Sequence, residues 1–395
     1  MTRFRDPISR RTFVRALGLT GAAPVVPALV SARGREAFGG LWSGAAQGGA
    51  ARVRPSASVI SLDSNENPNG PGLAALNAIR DALVLSNRYP YDEADALASA
   101  IAAQHSVHGV QSSQVLLGCG SAEILRMSMQ AFASRSRPLV TGSPTFEAPS
   151  RYANAFGVVI RPVRVDGDLK LDLAAMETSA QGAGLVYLCN PNNPTATVLS
   201  ARAVTGLIDR VARLSPQTAV LVDEAYHEYV DDPSYGTSIP IAIARRNVIV
   251  SRTFSKVHGL AGLRCGYAIA HAETIAQLAR FKLESSVNQL AIAAARAALG
   301  DKDRIERERT LNRAARESTR QLFQSLGCSV GASEANFVLV DLGRDSRTFR
   351  DGCRRAGVAV GRPFPPLNTY ARISIGTMEE MQRAGAIFRR VLGRA

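Results

Sequence analysis

Lysine is scarce in this chain. Only Lys170, Lys256, Lys282 and Lys302 stand among its 47 basic residues, so any chemistry that needs a primary amine has four candidates. Cysteine is thin as well: Cys119, Cys189, Cys265, Cys328 and Cys353 are odd in number, widely spaced and nowhere joined in a C-x-x-C pair. That spacing excludes a disulfide framework and a thiolate metal site, and leaves buried packing as their expected role. A membrane-spanning helix is not expected either, because the uncharged stretch 16–31 is broken by Gly and Pro and falls short of the roughly 20 apolar residues a span needs.

What the chain does have is 395 residues, 46% of them hydrophobic, enough for one large core with a smaller lobe. Its formal charge of +14 invites a nucleic-acid reading, but half of the excess sits in residues 1–54, where nine Arg face only Asp6 and Glu36. The remaining charges mix both signs along helices, as a solvated surface does, so no nucleic-acid partner is expected. The basic front has its own logic. Residues 9–15 read Ser-Arg-Arg-Thr-Phe-Val-Arg ahead of the uncharged stretch, the arrangement of a twin-arginine export signal. A small-residue linker, 39–51, follows it, so the signal and linker are assigned to 1–50, with cleavage between Ala28 and Ala50 and a periplasmic or exported product handled by the twin-arginine machinery.

From residue 51 onward, short β-branched runs alternate with Ala/Leu/Arg-rich stretches of helical period, the pattern of a mostly parallel α/β sheet between helices. Strands are predicted at 115–117, 139–141, 158–163, 185–189, 219–223, 248–251 and 265–270, seven in all. Beyond Ala291 the character changes to a long Arg/Glu helix at 302–326, then strands at 336–342 and 371–374 separated by another helix. These make a smaller α+β lobe.

In open α/β sheets ligands bind beyond the carboxyl ends of the strands, so the residues after each strand carry the functional question. After Leu117 come Gly118-Cys119-Gly120-Ser121-Ala122-Glu123 and an apolar helix, where small residues let backbone N–H groups approach an anion. A dinucleotide fingerprint fails there because its third glycine position, 123, is Glu. Asn190-Pro191-Asn192-Asn193 follows Cys189 and presents amides at a strand end. Asp223 closes another strand, where a carboxylate is costly unless a cation or proton donor pairs with it. Tyr226 lies three residues on. Finally, Ser251-Arg252-Thr253-Phe254-Ser255-Lys256 leads to Arg264. Lys170, Lys282 and Lys302 all sit in polar turns or charged helices, whereas Lys256 alone lies among small hydroxylated residues at a strand end, where a depressed pKa and a Schiff base make sense. An amine for a carbonyl, a carboxylate for a pyridinium nitrogen, and hydroxyls with an Arg for a phosphate together describe pyridoxal phosphate.

These residues resemble the fold-type I pyridoxal-phosphate aminotransferases, most closely the histidinol-phosphate aminotransferase branch, over roughly residues 60–392. Asn65-Glu66-Asn67-Pro68 is similar to the branch's N-E-N-P signature and Arg88-Tyr89-Pro90 to its R-Y-P. The resemblance implies an N-terminal arm at 51–90, a large cofactor-binding domain at 91–290 and a small domain at 291–395 joined by the chain's start. It implies that Gly120, Ser121 and Ala122 cradle the cofactor phosphate with Thr253, Ser255 and Arg264, and that Tyr89 reaches the phosphate of the other subunit in a homodimer with shared sites. Phe146 would stack on the pyridine ring, Asn193 and Tyr226 would donate to its phenolate oxygen, and Asp223 would keep its nitrogen protonated. Lys256 would form the internal aldimine and then move the proton between the substrate's α-carbon and the cofactor. Arg372 would grip the substrate carboxylate, with Asn193 and Arg362 beside it.

The chain also departs from the branch. Residues 52–61 carry no Tyr where the branch usually has an aromatic that helps bind the substrate's phosphate, and Gly361 shifts the register of Arg362. The expected reaction is therefore transamination of an amino acid to its keto acid, with substrate unassigned. A decarboxylase of the threonine-phosphate type shares the scaffold, and a non-catalytic binding protein of the same fold is a further alternative, opposed by the joint presence of Lys256, Asp223 and Arg264.

Overall fold

The computed structural model describes residues 59–393, so the expected export signal and linker lie outside the described residues. Twelve strands are described. They are β1 (Ile60–Leu62), β2 (Val115–Gly118), β3 (Leu139–Ser143), β4 (Ile160–Arg164), β5 (Leu185–Cys189), β6 (Ala219–Asp223), β7 (Val248–Thr253), β8 (Gly266–Ile269), β9 (Ser329–Val330), β10 (Phe337–Asp341), β11 (Val358–Val360) and β12 (Tyr370–Ser374).

The large sheet has seven strands in the order β2-β8-β7-β6-β5-β3-β4. Only β8 runs against its neighbours, pairing antiparallel with both β2 and β7. The central strands β5 and β6 are buried along their whole length and read as continuous apolar runs, because helices cover both faces of a parallel sheet. Alternation then assigns the faces: Val186, Leu188, Val220 and Val222 enter one hydrophobic cluster, while Leu185, Tyr187, Ala219 and Leu221 enter the other.

Around the smaller sheet, β12-β10-β9, a third cluster forms. The chain's start joins it, since β1 pairs in parallel with β11, placing Ile60 opposite Val358 and Leu62 opposite Val360. Its centre is a set of three fully buried rings, with Phe388 lying 5.2 Å from Phe323 and 5.6 Å from Phe349.

The change of character expected at Ala291 falls ten residues later. Helix Gln289–Gly300 starts where the Asn288 side chain accepts a bond from the Ala291 N–H, and it packs its alanines into the large core against helix Leu73–Ala82. An Ala-rich segment carries no signal of which lobe it will cover, so the break reads only at Asp301, where the charged helix Lys302–Ser325 begins. Within the stretch expected as the N-terminal arm, helix Leu73–Ala82 contributes Ala75 to the large core. One thiol also departs from expectation. Cys119 is only partly buried, because it occupies the turn that opens helix Ser121–Phe132, while the other four are buried and none of the five forms a disulfide.

Phe388→Ala removes the ring that both other phenylalanines touch, and is expected to cost about 3–5 kcal/mol of unfolding free energy. Denaturant titration of the purified protein measures it, and a loss under 1 kcal/mol would show that the three-ring cluster is not the small lobe's core.

Candidate active site

Every loop singled out in the sequence opens on the same edge of the large sheet, because β2, β3, β5, β6 and β7 run in one direction and end together. Asp223 terminates β6 and is buried. Its Oδ2 accepts a 2.9 Å bond from the Tyr187 hydroxyl on β5, while Oδ1 has no partner among the described residues. Burial raises its carboxyl to about 6, against the lowering effect of the Tyr187 bond and of Lys256. An unpaired buried carboxylate oxygen calls for a proton donor, which the described chain does not supply.

Lys256 follows β7 and is partly buried, with Nζ 3.1 Å from the Asn65 carbonyl and 5.5 Å from the centre of the Tyr226 ring. Burial, then the charges of Arg372 and Arg264, bring its amine down to about 8, although Glu66 and Asp223 pull the other way. The Tyr226 hydroxyl is reached by the side-chain amides of Asn65 at 3.1 Å and Asn193 at 3.4 Å. Asn193 in turn accepts 2.7 Å from the Arg372 guanidinium. Arg372 comes from β12 of the small sheet, so this run of contacts joins the two cores through one site.

A second cluster lies at the start of helix Ser121–Phe132. Gly120 precedes it with φ of +70°, and a Cβ there would stand 2.3 Å from an Arg264 guanidinium nitrogen. Gly266 is similar, for a Cβ would press within 2.3 Å of the Ser121 backbone nitrogen. The two glycines thus bring a guanidinium, helix-start N–H groups and the Ser255 hydroxyl, 3.3 Å from Arg264, into one cradle for an anion. Thr253 Oγ1 accepts from the Ser255 N–H at 3.1 Å and fixes that hydroxyl's backbone. Ala122 continues the helix, and Phe146 packs partly buried against the cluster that holds Tyr187 and Cys189.

Two expected residues stand apart. Tyr89 is 74% exposed with Tyr91 as its ring contact, so within one chain it does not join the cradle. Arg362 is held by Glu147, at 2.6 Å. Other residues belong to the site without having been singled out as functional. Asn65, with φ of +53°, bonds Tyr226 through its side chain, receives Lys256 at its carbonyl and accepts from the Ser374 hydroxyl at 2.8 Å. Asn among non-glycine residues favours that backbone region, a cue already present in the N-E-N-P stretch. Tyr187 and the buried pair Arg252–Glu224, at 2.8 Å, left no cue, since each looks like an ordinary strand residue until the partner is seen. His258 is a packed ring 4.9 Å from Phe254, and burial lowers it to about 4, so it is neutral.

The arrangement is a depressed-pKa amine facing a lone carboxylate oxygen, with an anion cradle to one side. That defines a pocket for a planar, phosphate-bearing carbonyl cofactor with a basic ring nitrogen. Comparison with known proteins agrees. Residues 57–387 match the family model "Aminotransferase class I and II", and the chain belongs to that family. It is 36% identical over 338 residues to a histidinol-phosphate aminotransferase of Symbiobacterium thermophilum, covering 85% of this chain and 91% of that one. It is 35% identical over 339 residues to that of Moorella thermoacetica, covering 85% and 86%. A solved histidinol-phosphate aminotransferase of Sinorhizobium meliloti, in complex with pyridoxal-5'-phosphate, superposes with a TM-score of 0.79 at 27% identity over 87% of this chain and 96% of that one. The chain is a pyridoxal-phosphate-dependent aminotransferase of fold type I.

Only a neutral amine adds to the cofactor's carbonyl, and a lowered pKa makes that form abundant at lower pH. Capture of pyridoxal phosphate by the cofactor-free protein, followed by stopped-flow absorbance, is therefore expected to accelerate with pH around a midpoint near 8. A midpoint at the ordinary lysine value would show that the site does not depress Lys256.

Proposed function

We propose that the enzyme removes the amino group from an amino acid and passes it to a keto acid, working as a homodimer exported by the twin-arginine route. The observation that carries this reading is the convergence of Lys256, the free oxygen of Asp223 and the Gly120–Arg264 cradle on one sheet edge. When bound, pyridoxal phosphate supplies the electron sink that stabilises negative charge at the substrate's α-carbon.

The roles in this proposal are as follows. The N–H groups of Ser121 and Ala122 beside Gly120, with Thr253, Ser255 and Arg264, hold the phosphate, and Phe146 covers the ring. Asp223 keeps a proton on the ring nitrogen, positioned by Tyr187. Asn193 and Tyr226 hold the phenolate oxygen, and Lys256 moves the proton at the α-carbon. Arg372, whose Nε has no partner among the described residues, takes the carboxylate. Tyr89, which is exposed in one chain among Leu83, Val84, Leu85 and Tyr91, reaches the second subunit's cradle. That exposed apolar run supports an interface, and sequence 9–31 supports export. The relatives' names offer histidinol phosphate as one amine to try.

Purified enzyme is expected to absorb visibly, and a suitable amino acid is expected to bleach that absorbance while releasing its keto acid. Lys256→Ala is expected to slow turnover by about a thousandfold or more. Release of an amine with carbon dioxide, in place of a keto acid, would establish a decarboxylase instead.

A further inference from the structure

Beside Arg372, the group proposed to take the substrate carboxylate, lies a second guanidinium that this role does not require, that of Arg362. Both lie over the ring of Phe364, with Arg362 4.3 Å and Arg372 5.0 Å from its centre. Gly361 sets this stacking. Its N–H donates 2.9 Å to the Arg372 carbonyl, and a Cβ at 361 would press 3.2 Å from the Arg372 Cβ and 3.4 Å from its Nε. Glycine at 361 therefore lets the segment carrying Arg362 lie directly on Arg372, which is the physical meaning of its shifted register.

Arg362 is already paired with an acid, however. Its guanidinium meets Glu147 at 2.6 Å, at the start of helix Ala148–Ala155 and one residue after Phe146. Arg151 approaches the same carboxylate oxygen only at 3.9 Å, from the next helical turn. Among the described residues, only Arg362 and Arg372 place guanidiniums over Phe364. Asp63 brings another acid to the same place, since its backbone carbonyl accepts from Arg372 and its carboxylate acts on that guanidinium. Arg362 and Arg372, with Arg151 further off, here face the carboxylates of Glu147 and Asp63.

Charge decides what such a pocket accepts. A phosphate monoester carries about −1.5 to −2 at neutral pH, and a carboxylate carries one negative charge. Two unmatched guanidiniums suit the former. One guanidinium, with its neighbour already neutralised, suits the latter, because a dianion brought beside Glu147 meets like charge.

We propose that Glu147 is a specificity-determining residue that makes this a single-carboxylate pocket, so the enzyme takes α-amino acids and disfavours amines bearing a phosphate monoester in the carboxylate's place. This inference rests on the aminotransferase reading, and it concerns which amine that site admits.

The test uses holoenzyme reduced with borohydride, which fixes the cofactor on the protein and stops turnover. Calorimetric titration with 3-phenylpropionate and with 3-phenylpropyl phosphate then reads the pocket alone. The wild-type protein is expected to bind the carboxylate more tightly. Glu147→Gln, at a partly exposed helix start, is expected to tighten the phosphate by about tenfold with a smaller change for the carboxylate. Tighter binding of the phosphate by the wild type overturns the inference, as does an equal change in both probes on substitution, and either result leaves the aminotransferase reading standing. A protein that retains no cofactor after reduction removes that reading and this one together.

Discussion

A carboxylate oxygen without a partner, shut at the end of a fully buried strand, is the constraint around which this site is arranged. Nothing in the described chain satisfies Asp223 Oδ1, while Tyr187 ties the other oxygen and so fixes which one faces the pocket. Isolated, such a group is pushed toward its neutral form, as the rise to about 6 records. A ring nitrogen that shares its proton there would relieve that cost, so the burial that disfavours the bare carboxylate favours the cofactor.

The neighbouring groups share this tension. Lys256, Arg372 and Asp223 are each displaced toward their uncharged forms by burial, and each retains bonding capacity that the protein alone does not fill. At the same sheet edge, by contrast, Arg252 and Glu224 satisfy one another, with Thr237 and the Ser238 N–H completing the carboxylate's partners. Burial is the largest influence on Arg252 and opposes its charge, but Glu224, Tyr267, Glu228 and Tyr235 together outweigh it and keep the guanidinium protonated. The small lobe supplies what the large sheet lacks: Arg372 from β12, and a bond from Ser374 that holds Asn65 against Lys256 and Tyr226.

Much of this was legible in the sequence because parallel strands are buried on both faces and end at a common edge. β5 and β6 fell on the expected residues, and Lys256 stood out by elimination among four amines. Contacts between distant segments were not legible. The Tyr187–Asp223 bond needs two adjacent strands in register, Cys189 opposite Asp223, which no local pattern encodes. Glu147 resembles a surface helix residue until Arg362, over two hundred positions away, arrives beside it. The boundary near Ala291 was misjudged for a related reason, since alanine-rich helices fit either lobe equally well.

The most direct measurement is the ¹⁵N chemical shift of pyridoxal phosphate labelled at its ring nitrogen and bound to the enzyme. A protonated ring nitrogen in the wild type, still protonated at pH 8 and lost in Asp223→Asn, is the predicted result. An unprotonated ring nitrogen in the wild type, or one indifferent to that substitution, would contradict the assignment of Asp223 as the partner the cofactor completes.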